Sequence, residues 1–132
     1  MGENTRLCVV DASFLLSYLL PDEENPFVEE TMDRFKQGKI KLLSTYLLPF
    51  EIFNTLKTVV IRKRITSKLA YELGIVFLEY AILHEKVDYL EALLLAQKEK
   101  LSFYDASYVW LARELQVPLL ALDKRMEKIA RV

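Results

Sequence analysis

The chain has 132 residues, with 18 Lys and Arg against 19 Asp and Glu, one His, one Cys and three Gly. That length suits one domain spanning residues 1–132, and folding buries about two-thirds of the surface that such a chain exposes when unfolded. A single Cys and a single His exclude an internal disulfide, a Cys-rich or His-rich zinc centre and a pair of imidazoles for acid–base work. The three isolated glycines (Gly2, Gly38 and Gly74) form neither a GxGxxG fingerprint nor a Walker loop, and a net charge of −1 leaves no basic footprint on the chain as a whole.

Leu7–Val10 is a short, continuously apolar run, the pattern of a strand buried on both faces, and it ends at Asp11. Ala12–Leu20 then reads as a helix stopped by Pro21. Asp11 interrupts the apolar stretch Leu7–Leu20, and an acidic loop follows it, so no secretory signal is expected. No run of about 20 apolar residues exists to span a membrane. Cys8 within an apolar run is expected to be a buried, reduced thiol in a cytoplasmic protein. Asp22–Asn25 reads as a solvated acidic loop. Asn25 is placed to cap a helix with Pro26 at its first position and Gly38 just past its end. Ile40–Ser44 is the second strand, and a helix starting near Pro49 carries the apolar stripe Leu48, Ile52, Phe53, Leu56, Val59 and Val60.

Thr66 opens a helix to about Tyr80, and Ala81–His84 is a third strand. Asp88-Tyr-Leu-Glu91 and Ser102-Phe-Tyr-Asp105 are capping-box patterns, each ahead of a helix. Val117–Leu122 is the last strand, ending at Asp123, with a closing helix at Lys124–Arg131. Apolar strands alternating with helices give an α/β layer fold on a parallel sheet.

Two strands thus end in an aspartate, Asp11 and Asp123. In open parallel sheets, ligands bind outside the carboxyl ends of the strands, so both carboxylates fall on that edge. An aspartate in such a place also caps the following helix, and both roles stay open from the residues alone. Glu51 lies near the start of the third helix with Asn54 one turn on, and Asp105 lies in the first turn of another. As a structural residue, Glu51 would be a first-turn acid favouring the helix dipole.

Val-Val-Asp11-Ala-Ser13, Leu-Pro-Phe-Glu51-Ile-Phe-Asn54, Tyr104-Asp105-Ala-Ser-Tyr108 and Leu-Leu-Ala-Leu-Asp123-Lys-Arg resemble PIN domains in order and spacing, and most of all the compact VapC-type toxins. The resemblance covers essentially the whole chain. It implies a three-layer α/β/α sandwich with a central parallel sheet and Mg²⁺- or Mn²⁺-dependent endoribonuclease activity. It also implies a homodimer, blocked by a small antitoxin lying across apolar helices; the stripes Leu48–Val60 and Leu69–Leu78 offer such a groove. In this reading Asp11, Glu51, Asp105 and Asp123 hold one or two ions, and Ser13 and Asn54 orient them or a phosphate. An oxygen-only donor set suits Mg²⁺ and Mn²⁺. One position departs from the pattern: many members carry Thr or Ser two residues before the last Asp, where this chain has Ala121.

The densest basic cluster is Arg62-Lys63-Arg64, with a second at Lys124 and Arg125 just beyond Asp123; both are candidates for RNA-backbone contacts. Tyr104, Tyr108 and Trp110 are candidates for stacking on a base. Alternative functions are a non-catalytic PIN-like module that binds RNA or protein, and a housekeeping RNA-processing nuclease. An aspartyl phosphatase is disfavoured because Ser13 occupies the place of its second aspartate.

Overall fold

The computed structural model describes residues 5–131; the ends of the expected 1–132 domain lie outside the described residues. Strand β1 (Arg6–Val10) is followed by α1 (Ala12–Leu19), α2 (Pro26–Lys36), β2 (Ile40–Thr45), α3 (Leu47–Ile61), α4 (Ser67–Glu79) and β3 (Leu83–Glu85). Then come α5 (Tyr89–Glu99), α6 (Phe103–Leu115), β4 (Leu119–Leu120) and α7 (Lys124–Ala130). The four strands lie in the order β3-β2-β1-β4, and every pairing is parallel. Helices α1–α4 pack on one another, α6 packs on both α5 and α7, and the sheet lies between the two groups. The result is the α/β/α sandwich.

Local chemistry accounts for most of the boundaries. Asn25 Oδ1 accepts the Phe27 and Val28 N–H groups and caps α2 above Pro26, and Gly38 takes the left-handed φ of +78° that turns the chain into β2. Pro49 sits in the first turn of α3, where its missing N–H costs nothing. There Thr45 Oγ1, rather than the cap residue Tyr46, accepts the first free N–H, from Leu47. Thr66, Asp88 and Ser102 cap α4, α5 and α6 through the Leu69, Glu91 and Asp105 N–H groups. The box at Asp88 is half made, because Glu91 accepts from Trp110 Nε1 at 2.8 Å.

The two outer strands depart from expectation. β3 begins two residues later than the expected Ala81–His84 and ends one later, after the Ile82 N–H has closed a turn onto the Tyr80 carbonyl. β4 is only two residues of the six expected. It pairs on one side alone, with β1; Pro118 has no N–H for the ladder; and beyond Leu120 the chain leaves the ladder, the Leu122 N–H turning to Ser13 Oγ. Asp11 and Asp123 still follow β1 and β4 at the same edge of the sheet. The core beneath that edge is formed by Val9, Val10, Phe14, Leu15, Leu42, Leu48, Ile52 and Val109, together with Tyr108.

Candidate metal centre

Asp11 is buried at the carboxyl end of β1 and caps α1, so its two readings are compatible. Its Oδ1 accepts the Phe14 N–H at 3.0 Å and the Ser13 hydroxyl at 2.8 Å. Ser13 Oγ in turn accepts the Leu122 N–H at 3.3 Å. One hydroxyl therefore ties the end of β1 to the segment after β4, beside the apolar position Ala121. From the other side, the buried Ser44 Oγ donates to the Val10 carbonyl at 2.6 Å and pins the residue before Asp11.

Glu51 lies in the second turn of α3 rather than the first, so a role for it as a dipole-favouring first-turn acid does not apply. Its Oε1 accepts the Tyr108 phenol at 2.6 Å, across 57 residues of sequence. Tyr108 is 1% exposed, so it orients a carboxylate and offers no face for a base. Trp110 is likewise committed to Glu91. Of the three aromatic residues considered for stacking, only Tyr104 is exposed. Asp105 stands in the first turn of α6, and Asp123 caps α7 through the Arg125 and Met126 N–H groups.

Asp11 and Asp105 are shifted by burial and by the neighbouring acids. Burial pushes the Asp11 carboxyl up from 3.8 to about 6, and the charges of Asp105 and Glu51 push the same way against its two hydrogen bonds. Burial raises Asp105 as well, with Asp123 adding to it. Burial, then the bond to Glu51, holds the Tyr108 phenol protonated as a donor. Among the described residues, no three His, Cys, Asp or Glu side chains stand close enough to hold an ion unaided. The donor set nevertheless fits Mg²⁺ or Mn²⁺. It is all oxygen and mutually repulsive, and such ions are usually held by one or two carboxylates, with waters and substrate phosphates completing the shell.

Other expected site residues make contacts of their own or face solvent. Asn54 is exposed, and its carbonyl accepts the Thr58 hydroxyl in addition to the helix ladder. Arg64 is engaged in an exposed ion pair. Its guanidinium grips Asp22 through two bonds of 2.9 Å and Glu23 at 3.2 Å, so the acidic loop is a clamp rather than a freely solvated segment. Arg62 follows Glu51 by eleven residues, about 16 Å along a helix axis. Arg125 donates to the Glu99 carbonyl, which leaves Lys124 exposed beside Asp123. The pairing of Tyr108 with Glu51 is not among the expectations from sequence; its one local signal is the placement of Tyr108 three residues after Asp105, on the same face of a helix.

A parallel α/β/α sandwich with a carboxylate edge built from β1, α3, α6 and the end of β4 defines a class of acidic, oxygen-donor sites. The PIN domain family model matches residues 8–132, and the chain belongs to that family. It is 27% identical to Ribonuclease VapC3 of Pyrobaculum aerophilum over 119 residues, 89% of this chain and 90% of that protein. Its fold resembles the crystal structure of PAE2754 from Pyrobaculum aerophilum, with a TM-score of 0.67 and 22% identity over 95% of this chain and 86% of the other. It also resembles VapC20 of Mycobacterium tuberculosis, a sarcin-ricin loop cleaving toxin, with a TM-score of 0.62 and 16% identity over 92% and 93% of the two chains.

Proposed function

We propose that this protein is a divalent-metal-dependent endoribonuclease, the toxin of a toxin–antitoxin pair. The observation that carries the reading is the buried Asp11 carboxyl, raised to about 6 and flanked by Glu51 and Asp105 at the carboxyl edge of the sheet. Burying an acid beside two other acids costs stability, and a cation at that place offsets the cost. Asp11 and Asp105 would hold the ion, with Glu51 and Asp123 reaching it directly or through water. A Mg²⁺ or Mn²⁺ held there would supply the positive charge that activates water and offsets charge on phosphoryl oxygens. The chain's own residues supply the positioning. Ser13 and the Phe14 N–H fix Asp11, Tyr108 aims Glu51, and the first turn of α6 carries Asp105.

The formal charge of −1 would become +1 with one divalent ion bound and +3 with two, a balance that favours a polyanion. The antitoxin is the partner proposed for the apolar groove between α3 and α4, where Phe53, Leu56, Val60, Ile61, Tyr71 and Ile75 line a cavity of about 450 Å³. A homodimer, which the likeness to the VapC-type toxins implies, belongs to the same proposal. A free, buried Cys8 suits a reducing cytoplasm, and among the described residues no helix is long and apolar enough to cross a membrane.

The reading is tested by incubating the chain with a total RNA pool in Mn²⁺ or Mg²⁺ and mapping the ends by sequencing. Cuts that require the added ion and vanish with EDTA are expected; intact RNA with every divalent ion would overturn it. The two basic clusters are expected to separate in RNA binding. Lys124→Ala weakens binding and lowers the salt slope by about 1, whereas Arg64→Ala leaves both unchanged. Anisotropy titrations over a range of KCl concentrations check this.

A further inference from the structure

A second cavity opens on the same edge of the sheet as the carboxylates. It has a volume of about 290 Å³, and its wall includes Tyr46, Lys86, Tyr89, Phe103, Tyr104 and Ser107. Its aromatic residues come from three separate places: the turn after β2, the start of α5 and the start of α6. Three of them remain open to solvent, Tyr46 at 59%, Tyr89 at 71% and Tyr104 at 58%. Exposing that much aromatic surface in one concavity is unfavourable unless something covers it. The rings are also held in place. Tyr46 leans on His84 with centroids 5.7 Å apart and planes tilted by 30°, and Tyr89 meets Phe103 at 6.3 Å. The backbone of Tyr104 is anchored by Ser107, whose hydroxyl donates to its carbonyl at 2.6 Å.

The cavity adjoins the carboxylates through the chain itself. Tyr104 immediately precedes Asp105, and Tyr46 lies two residues beyond Ser44, which pins Val10 ahead of Asp11. Resting on the ribonuclease reading above, we infer that this cavity receives one unpaired nucleobase of the RNA strand, stacked against Tyr104 and Tyr46, and so sets which nucleotide lies beside the scissile phosphate. A base presents a flat π-face to the phenol rings. Its polar edge can meet the Lys86 ammonium, while the sugar–phosphate backbone runs on towards Asp105. A duplex cannot enter, because its bases are stacked and paired.

The test uses the full chain carrying Asp11→Asn, which removes the acid on which cleavage depends and so keeps the RNA whole. A fluorescein-labelled single-stranded RNA oligomer is titrated by anisotropy, and the titration is repeated with an abasic residue at each position in turn. Adding Tyr104→Ala or Tyr46→Ala is expected to raise Kd by about 5- to 150-fold, the range for losing one stacked base. Adding Tyr104→Phe, which keeps the ring, is expected to restore binding. One abasic position should cost as much as Tyr104→Ala, with no further loss when the two are combined. Unchanged Kd in both alanine variants, or a flat abasic scan, overturns the inference. So does light scattering that shows a second copy of the chain sealing the cavity against RNA.

The cleavage assay separates this inference from the reading beneath it. If the native chain cuts RNA and Tyr104→Ala cuts the same sites with the same KM, the base pocket falls and the nuclease reading stands. If the native chain never cuts, yet Tyr104→Ala weakens the oligomer as described, the nuclease reading falls and the pocket stands.

Discussion

Asp11→Asn is expected to abolish RNA cleavage and at the same time to make the metal-free protein more stable at neutral pH. The folded chain holds the Asp11 proton more tightly than the unfolded chain does, with a pKa of about 6 against an ordinary 3.8. Below about pH 4 both states are protonated, and the group contributes no difference. As pH rises from there through 6, the unfolded chain gives up its proton first, and folding must then bury a charge. The stability held at low pH is therefore lost across that window. Raising the group from 3.8 to about 6 corresponds to about 3 kcal/mol at pH 7.

Asparagine carries no charge to bury, and its Oδ1 can still accept from the Phe14 N–H and the Ser13 hydroxyl. The cap is thus retained. Urea denaturation in EDTA should show a gain of about 1–3 kcal/mol at pH 7 that shrinks towards zero at pH 4. A variant destabilised equally at both pH values would mean that Asp11 serves the fold as a cap and not a charged site.

Tyr108→Phe is expected to slow cleavage by about 10- to 100-fold while costing only about 1 kcal/mol of stability. The ring keeps its place in the core, so no cavity opens. What disappears is the 2.6 Å bond that aims Glu51, a short charge-assisted contact of the stronger kind. Groups that orient an ion's ligands typically act at that magnitude. Because Glu51 is half-buried, water can reach the freed oxygen, which keeps the stability cost small. The measurement is cleavage rate against Mn²⁺ concentration. The variant should need more Mn²⁺ and recover part of its rate when saturated, a dependence that a merely structural tyrosine would not produce. Native rates at native Mn²⁺ concentrations would remove Tyr108 from the site.

The clamp of Asp22 and Glu23 on Arg64 also bears on how the surface is read. A run of three basic residues looks like a phosphate contact when only the run is considered. The fold brings an acidic loop from 42 positions away onto its last member, while Lys124 is left open next to Asp123.

By itself the sequence determined nearly every helix, the two central strands and the four acids. Each is written in local chemistry: apolar runs for β1 and β2, side-chain caps at Asn25, Thr66, Asp88 and Ser102, and an aspartate where a buried strand ends. The pattern around those acids was enough to indicate the PIN family. Tertiary structure alone decided the partners of those acids and the shape around them. Tyr108 reaches Glu51 across 57 residues, Ser13 joins β1 to the end of β4 across 109, and Asn54 faces solvent although it lies one turn from Glu51. The shortness of β4 and the cavity rimmed by Tyr46, Tyr89 and Tyr104 belong here too. Caps and strand runs arise from neighbours within a few residues along the chain. Hydrogen bonds between elements and the walls of a cavity depend on how the sheet orders its strands, and no local pattern records that order.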